Sequence, residues 1–123
     1  MKRIAIIGTG FAALSAARRL RQLDKQVGIT VIGPRPELVF LPSLIWLPSG
    51  KRRAEDLRIP LQNFFARNRI DFHAGEATGL ETGGRTVLTT GGPVDNDGLV
   101  IACGGRFIKK LPGIEHAITP CEG

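Results

Sequence analysis

Hydrophobic and polar positions at the start of the chain predict a strand, a helix and a second strand. Residues 3–7 form a short, almost continuous apolar run, which is typical of a parallel strand buried on both faces. From Phe11 to Leu23 apolar side chains recur at three-residue spacing, with most arginines on the opposite face, which predicts an amphipathic helix. Residues 27–32 predict a second strand, ended by Gly33-Pro34. Together these elements predict a βαβ unit with a right-handed crossover.

The middle of the chain has a less regular pattern. Residues 34–53 carry four prolines and a patch of apolar side chains, which predicts a long, partly buried connection. Long connections in compact domains usually have a function. Residues 60–68 follow a helical pattern, and residues 70–74 predict a third strand.

Two short alternating segments and one apolar run complete the pattern. Residues 77–80 and 86–89, separated by Thr82-Gly83-Gly84, predict a small antiparallel hairpin. Residues 98–103 form an apolar run closed by Gly104-Gly105, which predicts a last buried parallel strand. The predicted fold is therefore α/β, with a parallel sheet that starts as βαβ, helices on its faces and a small antiparallel excursion.

The composition limits the chain to one modest globular domain. It has 123 residues, of which 42% are hydrophobic and 23% charged, and this balance excludes a disordered protein. Two cysteines without a CxxC motif fit neither a disulfide scaffold nor a zinc site. The net charge of +6 permits anionic partners, but it bears on association rather than on fold.

The first twenty residues share only some features with a secretory signal peptide. Lys2 and Arg3 precede an apolar run, as they would in a signal peptide. However, Gly8-Thr9-Gly10 interrupts this run, and Arg18-Arg19 follows where a cleavage site would be expected. The sequence also contains no apolar run of about twenty residues, the length that spans a bilayer. We therefore expect a cytoplasmic protein.

The histidines and the basic clusters favour structural roles. His73 lies in a predicted strand and His116 near the end of the chain, and neither has a ligand partner at metal-binding spacing. We expect surface or hydrogen-bonded histidines and no metal site. The basic clusters at residues 51–53 and at Arg67 and Arg69 lack interleaved aromatics and any nucleic-acid motif. We expect a solvated face there and no nucleic-acid partner.

The strongest chemical motif is a glycine loop between the first predicted strand and the first helix. Gly8 allows a tight turn, Gly10 has no side chain to block a pyrophosphate, and Ala13 is small enough for close helix–strand packing. The N-terminus of the following helix offers free backbone N–H groups and a partial positive charge to phosphates. The loop therefore predicts a dinucleotide-binding site.

One expected residue is missing from this motif. An acidic residue that binds the ribose usually follows about twenty residues after the glycines, at the end of the second strand. Gly33-Pro34-Arg35 stands there, and the nearest carboxylate, Glu37, comes later. Arg35 could bind a phosphate, as in NADP sites, could lie along the adenosine of a larger cofactor, or could be a solvated charge.

Four motifs occur in order along the chain: residues 8–13 (GTGFAA), 31–35 (VIGPR), 40–44 (FLPSL) and 97–104 (DGLVIACG). In this combination the chain resembles the N-terminal part of flavoproteins with two dinucleotide-binding domains. It is most similar to the sulfide:quinone oxidoreductases and the flavocytochrome c sulfide dehydrogenases. The resemblance implies a Rossmann-like FAD/NAD(P)-binding fold and an FAD-dependent oxidoreductase that passes electrons from sulfide through FAD to quinone.

The resemblance also implies where FAD would bind. The glycine loop would hold the pyrophosphate, residues 33–35 would lie beside the adenosine ribose, and Pro42 would approach the isoalloxazine. Ala77 would meet adenine through its backbone, and residues 102–104 stand where many relatives have Ala-Thr-Gly near the flavin. The implied FAD-binding residues are Gly8, Gly10, Phe11, Ala12, Ala13, Gly33, Pro34, Arg35, Pro42, Ala77, Ala102, Cys103 and Gly104.

Cys121 is the candidate catalytic residue that the resemblance implies. Sulfide:quinone oxidoreductases use cysteines near the flavin to take up sulfide sulfur, and one of them lies a little after the strand that ends near Cys103. A nucleophilic cysteine must be a thiolate, and an inert terminal cysteine is the alternative interpretation of Cys121. Cys103 is the poorer candidate, because it lies in an apolar strand.

The resemblance further implies that residues 1–123 are the N-terminal part of an FAD-binding domain, a fragment of a longer flavoprotein. We expect such a fragment to be inactive by itself, to hold FAD weakly and to self-associate through its uncovered apolar loop. Peripheral contact with the inner membrane is expected only through regions outside this chain.

Two other interpretations of the sequence remain open. The chain length and Arg35 also fit a stand-alone module that binds NADP or another nucleotide and has no chemistry of its own. A part of a type II NADH dehydrogenase or of a ferredoxin reductase would carry the same nucleotide-binding motifs.

Overall fold

A computed structural model describes residues 2–105, 108 and 110–117 of the protein. Its helices and strands are β1 (Arg3–Ile7), α1 (Phe11–Leu23), β2 (Gly28–Gly33), β3 (Glu37–Val39), β4 (Arg58–Pro60), α2 (Gln62–Asn68), β5 (Asp71–Ala74), β6 (Ala77–Glu81), β7 (Thr86–Thr89), β8 (Val94–Asp95) and β9 (Gly98–Ile101). The predicted bounds of β1 and α1 coincide with the observed ones, and the other predicted elements lie within a few residues of theirs.

Four strands form the expected parallel sheet, in the order β5–β2–β1–β9. β1 is central: its Ile6 pairs with Val31 of β2 on one side and with Val100 of β9 on the other. The first three parallel strands therefore run outward in one direction, and the fourth lies on the other side of β1. Nucleotide-binding α/β sheets bind their ligands at such a reversal, outside the carboxyl ends of the strands.

The two faces of the parallel sheet are covered by different layers. On one face the buried Ile6 and Val31 belong to one core cluster with Ala13 and Ala17 of α1 and Phe65 of α2. Side chains alternate along a strand, so the neighbouring residues of β1 point to the other face.

On that second face Ala5, Ile7 and Ile32 form a core cluster with Val87, which is completely buried on β7. β7 is the middle strand of an antiparallel sheet in the order β6–β7–β8. The predicted hairpin is thus confirmed. The expectation of helices on both faces is wrong, because the antiparallel sheet takes the place of a helix there.

A buried arginine joins the two helices. Arg21 of α1 is only 7% exposed, and its Nε donates to the carbonyl oxygen of Asn68 at 2.8 Å. Its two terminal nitrogens donate to the carbonyl oxygens of Asp24, at 3.2 Å, and Arg69, at 3.1 Å. The guanidinium therefore satisfies carbonyl groups that the ends of both helices leave free, and its charge suits helix C-termini.

The segment expected to be a long connection contains short elements of its own. β3 and β4 pair antiparallel, with Leu38 opposite Ile59, and a 3₁₀ turn covers Leu41–Trp46 between them. The ring of Phe40 packs edge-on against Phe11, with 5.9 Å between their centres. This contact ties the apolar segment to the start of α1.

Candidate functional site

The glycine loop is shaped by its contact with the last parallel strand. Gly8 has a φ of +126°, and a Cβ on it would overlap the carbonyl oxygen of Ala102. Its N–H donates to the carbonyl oxygen of Ile32 at 2.9 Å. Glycine is required at this position because a side chain would be strained and would push the strand ends apart.

Gly10, in contrast to Gly8, has open space around it. A Cβ on Gly10 would find no atom within 4 Å, and Gly10 lines the cavity at the carboxyl end of the sheet. Gly10 is also the N-cap of α1, where no side chain caps the helix and the first turn has no acidic residue. The first N–H groups of a helix have no partner within it, so here they are free to bind an anion.

The cavity has a volume of about 860 Å³ and lies at the carboxyl ends of the four parallel strands. Ten of the implied FAD-binding residues line it: Gly8, Gly10, Phe11, Ala12, Gly33, Pro34, Ala77, Ala102, Cys103 and Gly104. They come from four separate segments of the chain, and the fold brings them together at one edge of the sheet. An open space beside Gly10 and uncapped helix N–H groups fit a dinucleotide pyrophosphate.

Three of the implied residues lie away from the cavity lining. Ala13 is completely buried in the core with Ile6, where its small side chain allows close packing of α1 on the sheet. Arg35 is exposed, and its Nη1 lies 3.7 Å from Oε1 of Glu37. Pro42 is exposed in the 3₁₀ turn after β3.

Six further residues line the cavity that were not among the implied FAD-binding residues: Ile7, Thr9, Ile32, Gly75, Glu76 and Ile101. Ile7 is the last residue of β1, Ile101 the last of β9, and Ile32 the last but one of β2. These three residues could therefore have been predicted to line the cavity from the ends of the predicted strands. Thr9 packs its methyl group against Gly33, where a Cβ would come within 2.7 Å of it. Gly75 and Glu76 carry no recognisable motif.

Cys103 is an exposed cysteine in the wall of the cavity. The expectation of a buried, strand-bound thiol is wrong, because β9 ends two residues earlier, at Ile101. Cys121, the candidate catalytic residue, lies outside the described residues.

The histidines have local partners. Thr89 donates its hydroxyl to the carbonyl oxygen of Gly92 at 2.5 Å, so it accepts from Nε2 of His73 at 2.8 Å. His116 is exposed, and its Nε2 lies 3.5 Å from a carboxylate oxygen of Glu115. In the part of the chain that the structure describes, no three His, Cys, Asp or Glu side chains are grouped as metal ligands.

The basic cluster at residues 51–53 lies on the surface beside apolar side chains. Nζ of Lys51 lies 4.7 Å from the ring centre of Trp46, and Arg53 pairs with Asp56 at 3.7 Å.

Within residues 2–105, 108 and 110–117, no helix is long and apolar enough to cross a membrane.

Comparison with known proteins gives consistent matches over almost the whole chain. Residues 2–122 match the family described as pyridine nucleotide-disulphide oxidoreductase. The sulfide-quinone reductase of Aquifex aeolicus is 32% identical over 119 residues, which are 96% of this chain and 28% of that protein. Its crystal structure superposes with a TM-score of 0.84 over 94% of this chain and 27% of that one.

Two other relatives have different activities in their names. The nitric oxide reductase FlRd-NAD(+) reductase of Pectobacterium atrosepticum is 32% identical over 97% of this chain and 32% of that protein. The type II NADH:quinone oxidoreductase of Staphylococcus aureus is 26% identical over 93% of this chain and 28% of that protein. The chain thus spans about a third or less of the length of the curated relatives it matches.

Proposed function

The chain belongs to the pyridine nucleotide-disulphide oxidoreductase family, and on this basis we propose that residues 1–123 form part of the FAD-binding domain of a sulfide:quinone oxidoreductase-like enzyme. FAD is the cofactor of this family. The observation that carries the proposal is the cavity at the reversal of strand order, where the glycine loop meets the segment Ala102–Gly104.

Different parts of the cavity would hold the pyrophosphate, the adenosine and the flavin of FAD. The uncapped N–H groups at the start of α1 would bind the pyrophosphate, next to the open space at Gly10. The edge formed by Gly33, Pro34 and Ala77 would hold the adenosine, and the segment Ala102–Gly104 would lie toward the flavin. Bound FAD supplies two-electron redox chemistry, and the protein supplies binding and orientation.

The proposed substrates are those in the name of a relative that is similar to this chain in both sequence and structure. Sulfide would be oxidised by two electrons, and a quinone would take up two electrons and two protons. The match to sulfide-quinone reductase at 32% identity, together with the TM-score of 0.84, supports this pair of substrates. In this proposal the Cys121 thiolate would take up sulfide sulfur as a persulfide: an S–S bond would form, the S–H proton would be released, and the two electrons would pass to bound FAD and then to the quinone. The protein would work in the cytoplasm with access to membrane quinone.

The test is anaerobic reduction of the flavin in the purified full-length protein that contains residues 1–123. We expect FAD to bind, and sulfide to bleach the flavin absorption bands, which quinone then restores. A protein that takes up no FAD would overturn the proposal. The same titration with the variant Cys121→Ser tests the role of the thiol. FAD binding should persist in this variant, whereas bleaching of the flavin by sulfide should be lost.

A second candidate function is an NADH-dependent reductase. It is favoured by the relative from Pectobacterium atrosepticum, which equals the sulfide-quinone reductase in identity at 32%. Bleaching of the flavin by NADH, with none by sulfide, would support this candidate over the sulfide enzyme.

The remaining interpretation, a stand-alone NADP-binding module, was based on the chain length and on Arg35. Arg35 pairs with Glu37 and does not line the cavity. Direct titration with NADP decides this hypothesis: tight binding of NADP without binding of FAD would support it.

A further inference from the structure

Glu76 is the one acidic residue among the described residues that line the cavity. The end of β2, where an acidic residue usually binds the adenosine ribose, carries Gly33 and is followed by Pro34 and Arg35 instead. We propose that Glu76 is the missing carboxylate, and that it selects an adenosine ribose without a 2′-phosphate. This inference rests on the proposed binding of an adenine dinucleotide in the cavity.

The fold places Glu76 close to the end of β2, where the usual acidic residue is missing. β2 and β5 are paired neighbours, with Gly33 opposite Ala74, and the N–H of Gly75 donates to the carbonyl oxygen of Gly33 at 2.9 Å. Glu76 is the next residue in the chain after Gly75. Because neighbouring parallel strands are about 4.8 Å apart, an acid beyond the end of β5 can reach the region that an acid beyond β2 would serve.

The backbone of Glu76 is held in place by two hydrogen bonds with Thr90. The N–H of Glu76 donates to Oγ1 of Thr90 at 2.9 Å, and the N–H of Thr90 donates to the carbonyl oxygen of Glu76 at 3.0 Å. The preceding Gly75 is closely packed, since a Cβ there would lie 2.9 Å from the backbone nitrogen of Gly91. The segment that carries the carboxylate is therefore positioned before any ligand binds.

Glu37, the nearer carboxylate in sequence, is already engaged elsewhere. Its side chain is half-buried beside the guanidinium of Arg35 and does not line the cavity. Among the described residues, the ion pairs do not include Glu76. Within the described residues, Glu76 therefore lines the cavity without an ion-pair partner, whereas the Glu37 carboxylate lies outside the cavity beside Arg35.

The chemistry of a carboxylate explains the proposed selectivity. An ionised carboxylate only accepts hydrogen bonds, and its two oxygens suit the two neighbouring hydroxyl groups of a ribose. A 2′-phosphate would replace one of these donors by a second anion close to the carboxylate, which costs binding energy. FAD has an unmodified adenosine ribose, as does NAD, whereas NADP does not.

The experiment compares binding of FAD, 5′-AMP and 2′,5′-ADP to the flavin-free protein by calorimetry. We expect the unaltered protein to bind FAD and to prefer 5′-AMP over 2′,5′-ADP. In Glu76→Gln, which keeps the shape and removes the charge, FAD affinity should fall about tenfold. The preference for 5′-AMP over 2′,5′-ADP should largely disappear. Glu76→Asp should keep the preference, because it keeps the charge.

Glu37→Gln is the matched control, since it makes the same chemical change at a carboxylate outside the cavity. It should leave both the FAD affinity and the preference as they are. Unchanged preference in Glu76→Gln, with FAD still bound by the unaltered protein, would overturn the role of Glu76 alone. Failure of the unaltered protein to bind FAD or 5′-AMP would instead overturn the proposed function and this inference together.

Discussion

Gly8 and Ala102 meet where the first and last parallel strands end, so closely that a Cβ on Gly8 would overlap the Ala102 carbonyl oxygen. The contact continues the pairing of β1 with β9, in which Ile7 lies opposite Ile101 and the N–H of Ala102 donates to the carbonyl oxygen of Ile7 at 2.9 Å. The shape of the cavity therefore depends on close packing between Gly8 and Ala102.

Gly8→Ala should destabilise the protein by about 3 kcal/mol. The cost combines backbone strain at a φ of +126° with the overlap at Ala102. Urea unfolding followed by circular dichroism measures it. Gly105→Ala, at a glycine with open space around its Cβ position, is the control and should change stability little. Equal stabilities of the two variants would contradict the close packing at Gly8.

Gly10→Ala should separate folding from binding. Its φ of −84° suits any residue, and a Cβ would touch nothing in the protein, so the loss in stability should stay within about 1 kcal/mol. The added methyl group would stand beside the cavity, where it should weaken FAD binding by about tenfold or more. Calorimetric titration with FAD checks this, and undiminished affinity would place the pyrophosphate elsewhere.

Gly33→Ala should be costly only while Thr9 is present. A Cβ on Gly33 would come within 2.7 Å of the Thr9 methyl carbon, and Thr9→Ser removes that carbon. A double-mutant cycle of urea unfolding should therefore show a favourable coupling of about 1 kcal/mol. Gly28→Ala, in the same strand with its nearest neighbour at 3.5 Å, should show no coupling to Thr9→Ser.

Arg21→Ala should lower the free energy of unfolding by about 2–4 kcal/mol, because three carbonyl acceptors at the helix ends would lose their buried donors. Arg21→Lys should recover only part of the loss, since an ammonium lacks the fork of donors. Arg18→Ala, on the exposed face of the same helix, should change stability by no more than about 0.5 kcal/mol. Similar effects at positions 18 and 21 would contradict the bridging role.

The apolar surface of the segment after β3 should drive self-association. Ile45 is 71% exposed, and Leu41 and Trp46 are exposed beside it. Ile45→Asp should shift sedimentation velocity profiles of the 123-residue chain toward monomer. Leu23→Asp, which changes an equally exposed leucine at the end of α1, is the control and should have no such effect. A chain that is monomeric at all concentrations would refute the expectation.

The beginning of the fold could be predicted because its signals are local. Apolar spacing and the glycines between residues 3 and 33 are short-range features, and β1, α1 and β2 follow them closely. The glycine motif likewise predicted a turn whose residues line the cavity. Ala13 packs in the core, as its small side chain predicted. It does not line the cavity, although it was also among the implied cofactor-binding residues.

The remaining features depend on pairings between distant parts of the chain, which no local pattern encodes. β3 pairs with β4 across about twenty residues, and the antiparallel sheet rather than a helix covers Ala5 and Ile7. The pairing of Gly33 with Ala74 brings Glu76 to the cavity, although its surrounding sequence has no motif. Residue spacing thus predicted the glycine turn that lines the cavity, while strand order and register placed Glu76 in the cavity wall, because only folding brings separate strand ends together.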